Sequence, residues 1–169
     1  MKISVPLQNG VLPDQYAKYA TGSDVHNGQP VRSFPIRIED APEGTQSFAL
    51  SLLDFDAIPV SGFPWIHWVA ANFPGDITEI PEDDSRTLVV PHTLGKNSNA
   101  GSLINETNPS IIEHYTGPFP PDADHTYTLT VYALKSVLDL EEGFWLNELM
   151  HDADSQTLTT ATCTFIGRV

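Results

Sequence analysis

The sequence predicts a mainly β domain, and three observations carry that expectation. The chain is 40% hydrophobic but only 18% charged, and its 14 prolines suit a loop-rich globular protein better than a helical bundle or a disordered chain. The run "HTYTLTVYAL" alternates with period two and puts His125, Tyr127, Leu129, Val131 and Ala133 on one side. Two denser apolar runs, "QSFALSLLDFD" and "WIHWVAANF", are bounded by Pro- and Gly-containing turns, as central strands are. At 169 residues, one domain over 1–169 buries enough surface to fold without staples.

Taken in order, residues 1 to 33 are turn-rich ("PLQNG", "ATGSD", "HNGQP"), so any strand there is short. Phe34, Ile36 and Ile38 alternate weakly before a Pro-Glu-Gly turn. The strand from Ser47 to Leu53 ends on Asp54 and Asp56. After a loop at Ile58 to Pro64, strict alternation would put Trp65, His67 and Val69 on one face and Ile66, Trp68 and Ala70 on the other. "TLVVPHTL" reads as a short strand. The segment from Gly95 to Asp124 has little periodicity, and long ordered loops in compact domains tend to carry function. "LDLEEGFWLNELMHDAD" has helical spacing at Phe144, Trp145, Leu149 and Met150, and "SQTLTTATCTFIGRV" returns as a final strand.

The 22 acidic residues against 8 Lys and Arg give a formal charge of −14. Nucleic acid and anionic membrane surfaces are repelled at long range, so an anionic ligand needs a locally favourable pocket. One cysteine, Cys163, excludes an internal disulfide and suits a reducing compartment; in an alternating strand it reads as a small buried hydrophobe. The start of the chain has no apolar h-region, and no run approaches the roughly 18 apolar residues of a membrane span. The expectation is a cytoplasmic protein.

Two local pieces carry chemistry: acids at the end of one strand followed by Trp-x-His, and "GPFPP" followed by His-x-Tyr at the start of another. Both place polar side chains at strand ends beside rigid Pro-rich loops, which preorganises a small site. Here the sequence resembles the phosphatidylethanolamine-binding proteins, in their bacterial Raf-kinase-inhibitor-like branch. The family's Asp-Pro-Asp-Ala-Pro and Trp-x-His-Trp signature is matched by "DFDAIP" and "WIHW", and its Tyr-x-Gly-Pro-x-Pro-Pro and His-x-Tyr signature by "YTGPFPP" and "HTY". "PEGTQSFALSLLDFDA" and "GKNS" lie in the family's order, so the resemblance spans roughly residues 20 to 169.

The resemblance implies an antiparallel β-sandwich with one or two short helices. It also implies a ligand pocket made by Asp54, His67, His125 and Tyr127, with Gly117, Pro118 and Pro121 shaping its wall and Asp56 and Trp65 beside them. In the family the pocket holds a phosphate or similar anion. Imidazole N–H, phenol O–H and backbone N–H groups suit that ligand, and Asp54 would orient a histidine and raise its pKa. The implied function is non-catalytic binding of a phosphate-like or phosphorylated small ligand, with no cofactor, and regulation or inhibition of a signalling protein whose identity the sequence does not give. Homodimer formation is a further implication; nucleic-acid binding and membrane insertion are not expected.

Phe55 stands where the family has proline, and Ile58 is inserted before Pro59, so Ile58–Pro59 is expected to take the role of the family's cis Ala–Pro bond. The competing function is a hydrolase using Asp54, His67 and His125 for acid–base work, with or without a metal. No HExxH or close His pair supports a metal, and no nucleophile accompanies the histidines. A third alternative is an interaction protein with a vestigial pocket. "LGKNS" lacks a P-loop's upstream glycine, Val90 standing there. Without neighbours of their own, His26, His92, His114 and His151 read as surface residues, and Asp56 reads equally well as a turn cap.

Overall fold

The computed structural model describes residues 1–169. Strand β1 (Lys2–Ser4) opens the chain, and β2 (Val25–His26) and β3 (Gln29–Pro30) form a small hairpin. Its turn is Asn27-Gly28, both at positive φ (48° and 76°), the pair that a two-residue hairpin loop prefers. β4 (Ile36–Glu39) and β5 (Ser47–Asp54) follow. Then come α1 (Ile58–Ser61), β6 (Trp65–Pro74), β7 (Glu79–Ile80), α2 (Asp84–Thr87), β8 (Thr93–Leu94) and α3 (Pro109–Ile112). The chain closes with β9 (His125–Leu134), α4 (Leu146–Asp154) and β10 (Thr157–Gly167).

The architecture is the expected mainly β sandwich. An antiparallel sheet in the order β10-β9-β5-β6-β8 packs its inner face against a three-stranded sheet in the order β1-β4-β7. Phe48, Leu50, Leu52, Leu129 and Val131 supply the inner face, and Ile36, Ile38 and Ile80 face them. Phe34 sits among Tyr16, Trp68, Tyr115 and Phe165, edge-on to all four rings at centroid distances of 5.4–6.3 Å, an arrangement aromatic pairs favour. On the outer face, Leu149 and Ala153 of α4 cover Ala49, Val69, Ala71 and Leu134.

β9 alternates as expected: His125, Tyr127, Leu129, Val131 and Ala133 are all buried. β6 does not. Leu52 pairs with Trp68 but Leu53 with Ile66, which leaves His67 as the extra residue of a β-bulge. Trp68 and Ala70 share the inner face with the main core and Val69 takes the outer one, as alternation expects, but across the bulge Ile66 packs with Val69 on the outer face instead of with Trp68, and Trp65 and His67 line a cavity instead of joining Val69. A second irregularity, where Phe48 pairs with Phe73 and Leu50 with Ala70, is absorbed at Asn72, whose φ is 64°. Of "TLVVPHTL" only Thr93–Leu94 is strand; Thr87 ends α2, and Leu88 at φ 50° and Pro91 break the extension. Only α4 exceeds one turn, although the one-turn α1, α2 and α3 bring the helix count above the expected one or two.

No peptide bond is cis. Ile58–Pro59 therefore does not reproduce a cis Ala–Pro; it opens α1, where a proline in the first turn has no N–H to leave unbonded. Two single-residue readings also change. The His92 side chain has no exposure and stacks on Phe73 at 4.3 Å, and Cys163 is half-buried rather than buried. No helix is long and apolar enough to cross a membrane.

Candidate functional site

Asp54, at the end of β5, pairs across the ladders with Trp65 of β6 and Tyr127 of β9, so three strands deliver polar or aromatic side chains to one end of the sandwich. The bulge at His67 aims that imidazole inward as well. The segment before β9 closes over them. Thr116 N–H donates to the His67 carbonyl at 3.0 Å, and His67 Nδ1 donates to the Thr116 carbonyl at 2.7 Å. Gly117 N–H donates to Pro30 O at 2.8 Å, and a Cβ at Gly117 would lie 2.2 Å from the Tyr16 carbonyl oxygen, so no side chain fits there.

These contacts enclose a cavity of about 230 Å³, below the roughly 300–1,000 Å³ of sites for drug-sized ligands. Asp54, Trp65, His67, Gly117, Pro121, His125 and Tyr127 line it, so seven of the nine residues singled out from the sequence come together. Pro118 and Asp56 do not line it. Pro118 packs at Gly167, and Asp56 Oδ2 accepts from Thr126 N–H at 2.8 Å, holding the start of β9. The sequence reading missed Gln29, Ala57, Val60, Ser61, Asn99, Thr116, Phe119 and Pro120. Ala57, Thr116, Phe119 and Pro120 lie inside the quoted motifs and Asn99 adjoins "GKNS", whereas Gln29 carried no signal. Asn97 and Ser98 of "GKNS" are scaffold: Asn97 Nδ2 donates to the Ile111 and His114 carbonyls, and Ser98 Oγ accepts from Ile66 N–H.

The electrostatics differ from the expectation in one respect. Asp54 orients His125, accepting from Nδ1 at 2.8 Å while its other oxygen accepts from Ala57 N–H at 3.0 Å. Asp122, outside the cavity and unforeseen, accepts from His125 Nε2 at 2.9 Å. Carboxylates only accept, so both ring nitrogens carry protons and His125 is an imidazolium. Burial opposes that charge, but the bonds to Asp54 and Asp122 outweigh it and raise the pKa. In His67 burial wins, pushing the pKa down; the ring is neutral, with its proton on Nδ1 facing Thr116. Hence neither histidine has an N–H left for a ligand.

Tyr127 provides the remaining donor. Its hydroxyl is buried and has no hydrogen-bond partner, and burial together with the Asp54 charge raises its pKa, keeping the phenol protonated. Its ring lies edge-on to His67 at 5.0 Å. At the rim, Val60 (51% exposed) and Phe119 (46%) give the mouth an apolar border, and Phe63 stacks on Trp65 at 6.1 Å.

Comparison with known proteins bears on the family and the fold. The family model described as phosphatidylethanolamine-binding protein matches residues 2–167. The chain is 45% identical over 161 residues to the uncharacterized protein YxkA of Bacillus subtilis, covering 95% of this chain and 96% of that one. It is 33% identical over 144 residues to the UPF0098 protein YbhB of Escherichia coli, covering 83% and 82%. The crystal structure of Escherichia coli YbcL, described as a new member of the mammalian PEBP family, superposes with a TM-score of 0.78 at 22% identity, covering 99% of this chain and 98% of that one.

Proposed function

The chain belongs to the phosphatidylethanolamine-binding protein family, and from that premise we propose that it is a non-catalytic binding protein whose pocket takes a small oxyanion, a phosphate or a phosphorylated headgroup. The observation that carries the reading is the buried, unpartnered Tyr127 hydroxyl in a cavity sized for a group of that kind. A buried donor without a partner costs about 1–3 kcal/mol, which an acceptor oxygen of the ligand recovers. Binding rather than turnover is supported by the histidines, since His125 has both nitrogens on carboxylates and Ser61 Oγ in the wall donates to backbone carbonyls. Regulation or inhibition of a signalling protein, and a cytoplasmic setting for the free Cys163, extend the proposal and rest on family membership and composition.

Titration with phosphate, phosphoethanolamine and phosphotyrosine, followed at the ring resonances of His67 and His125, tests the pocket. Saturable shifts at His67 are expected. The absence of any shift with all three overturns the proposal.

A further inference from the structure

We propose that the pocket selects a monoanionic phosphate group that still carries a proton, a singly ionised phosphomonoester or dihydrogen phosphate, with His67 Nε2 accepting from its P–OH and Tyr127 O–H donating to a second oxygen. This inference rests on the anion-pocket reading above and makes His67 the residue that sets specificity.

The argument begins with what the cavity offers. The Thr116 carbonyl can only accept, so the 2.7 Å contact places the His67 proton on Nδ1. Nε2, which has no hydrogen bond to the protein, then presents a lone pair. The Tyr127 hydroxyl is the complementary donor on the adjoining strand. A ligand that satisfies both must be donor and acceptor at once. A fully ionised oxyanion has no proton for Nε2 and would set an oxygen lone pair against a nitrogen lone pair.

Charge points the same way. No lysine or arginine lines the cavity. Lys18 directs its ammonium to the Pro120 carbonyl at 3.0 Å. The groups facing His67 are Asp54 at the end of β5 and His125 and Tyr127 on β9, with Asp122 beyond His125. One imidazolium between two carboxylates leaves no positive surplus, so a second negative charge on the ligand meets repulsion. The cavity discriminates between phosphate sources: a phosphomonoester retains an acidic proton with a pKa of about 6, whereas a diester, such as a phospholipid headgroup, has none on its phosphate.

The test measures affinities of the whole protein at pH 5.5 for methyl phosphate, inorganic phosphate, dimethyl phosphate, sulfate and glycerophosphoethanolamine. Methyl phosphate and inorganic phosphate, both mainly monoanions at this pH, should bind at least tenfold more tightly than sulfate and dimethyl phosphate. Raising the pH to 7.5 should weaken methyl phosphate about 25-fold, the drop in its monoanion fraction for a pKa of about 6. Nitrogen-15 chemical shifts should report His67 as the Nδ1-protonated tautomer in the free protein, with Nε2 moving on binding. Tyr127→Phe, which keeps the packing, should lose affinity for methyl phosphate. Sulfate or dimethyl phosphate binding as tightly as methyl phosphate overturns the proton requirement and leaves the anion pocket standing. Glycerophosphoethanolamine binding more tightly than methyl phosphate also overturns it, because the ammonium would then be the donor to Nε2. No binding of any of the five overturns the anion pocket itself.

Discussion

Asp54→Asn is the most informative single change at the site. Asp54 makes two buried hydrogen bonds, to Ala57 N–H at 3.0 Å and to His125 Nδ1 at 2.8 Å, one through each oxygen. Asparagine keeps one acceptor oxygen and turns an NH₂ toward a group that itself donates, so one of the two bonds is lost. Losing a hydrogen bond to a charged group costs about 1.5–3 kcal/mol. Asp122 still holds Nε2 of His125, so the imidazolium is not left wholly unpaired and we expect about 2 kcal/mol. In a domain of this size that is a fall of about 4–8 °C in Tm. The pH dependence has a definite sign. The folded pKa of His125 lies above its ordinary 6.5, so its stabilisation is complete below pH 6.5 and is lost as pH rises through the folded value. The gap between wild type and Asp54→Asn should therefore be largest near pH 5.5 and narrow by pH 9. Urea unfolding at both pH values, with the His125 ring titration, measures it. A gap below about 0.5 kcal/mol at pH 5.5, or one that widens with pH, refutes the reasoning.

Three further changes test the framework around the site. Gly117→Ala sets a methyl group 2.2 Å from the Tyr16 carbonyl oxygen while Gly117 N–H is tied to Pro30; a loss of about 2–4 kcal/mol in urea unfolding is expected, and unchanged stability counts against the close approach. Glu82 is held down to about 2 by Arg32 and Tyr16, so its contribution is present above its ordinary 4.5 and lost as pH falls toward 2. Because its side chain is 36% exposed, solvent screening leaves about 1 kcal/mol; Glu82→Gln should show that deficit at pH 7 and almost none at pH 2.5. At Asn72, where φ is 64° and the side chain bonds Thr93 and Leu138, both Asn72→Gly and Asn72→Ala lose the hydrogen bonds. Alanine should be the worse by about 1–2 kcal/mol, because only it is strained in that backbone conformation; equal losses in thermal unfolding would remove the bulge from the explanation.

What the sequence conveyed depended on whether the physics was local. β9 could be read residue by residue because alternation of burial is a period-two signal in the chain itself, and His125 to Ala133 obey it. The N-terminus of α3 was also there to be read: Asn108 caps Ser110 N–H and Pro109 follows it, a standard start that four helical residues are too few to announce by periodicity. The bulge left no such mark. "WIHW" looks like alternation, and the one extra residue, His67, is defined by a partner strand that happens to pair Leu52 with Trp68 and Leu53 with Ile66. The same limit governed the chemistry. Residue types alone made both histidines donors, but a histidine's role is set by the atoms opposite its nitrogens. Those atoms are Asp122 and Asp54 for His125 and the Thr116 carbonyl for His67, up to 71 positions away in the chain. Closure of the Pro-rich loop supplies two of the three, so the step that completes the cavity also decides which histidine is charged and which offers a lone pair.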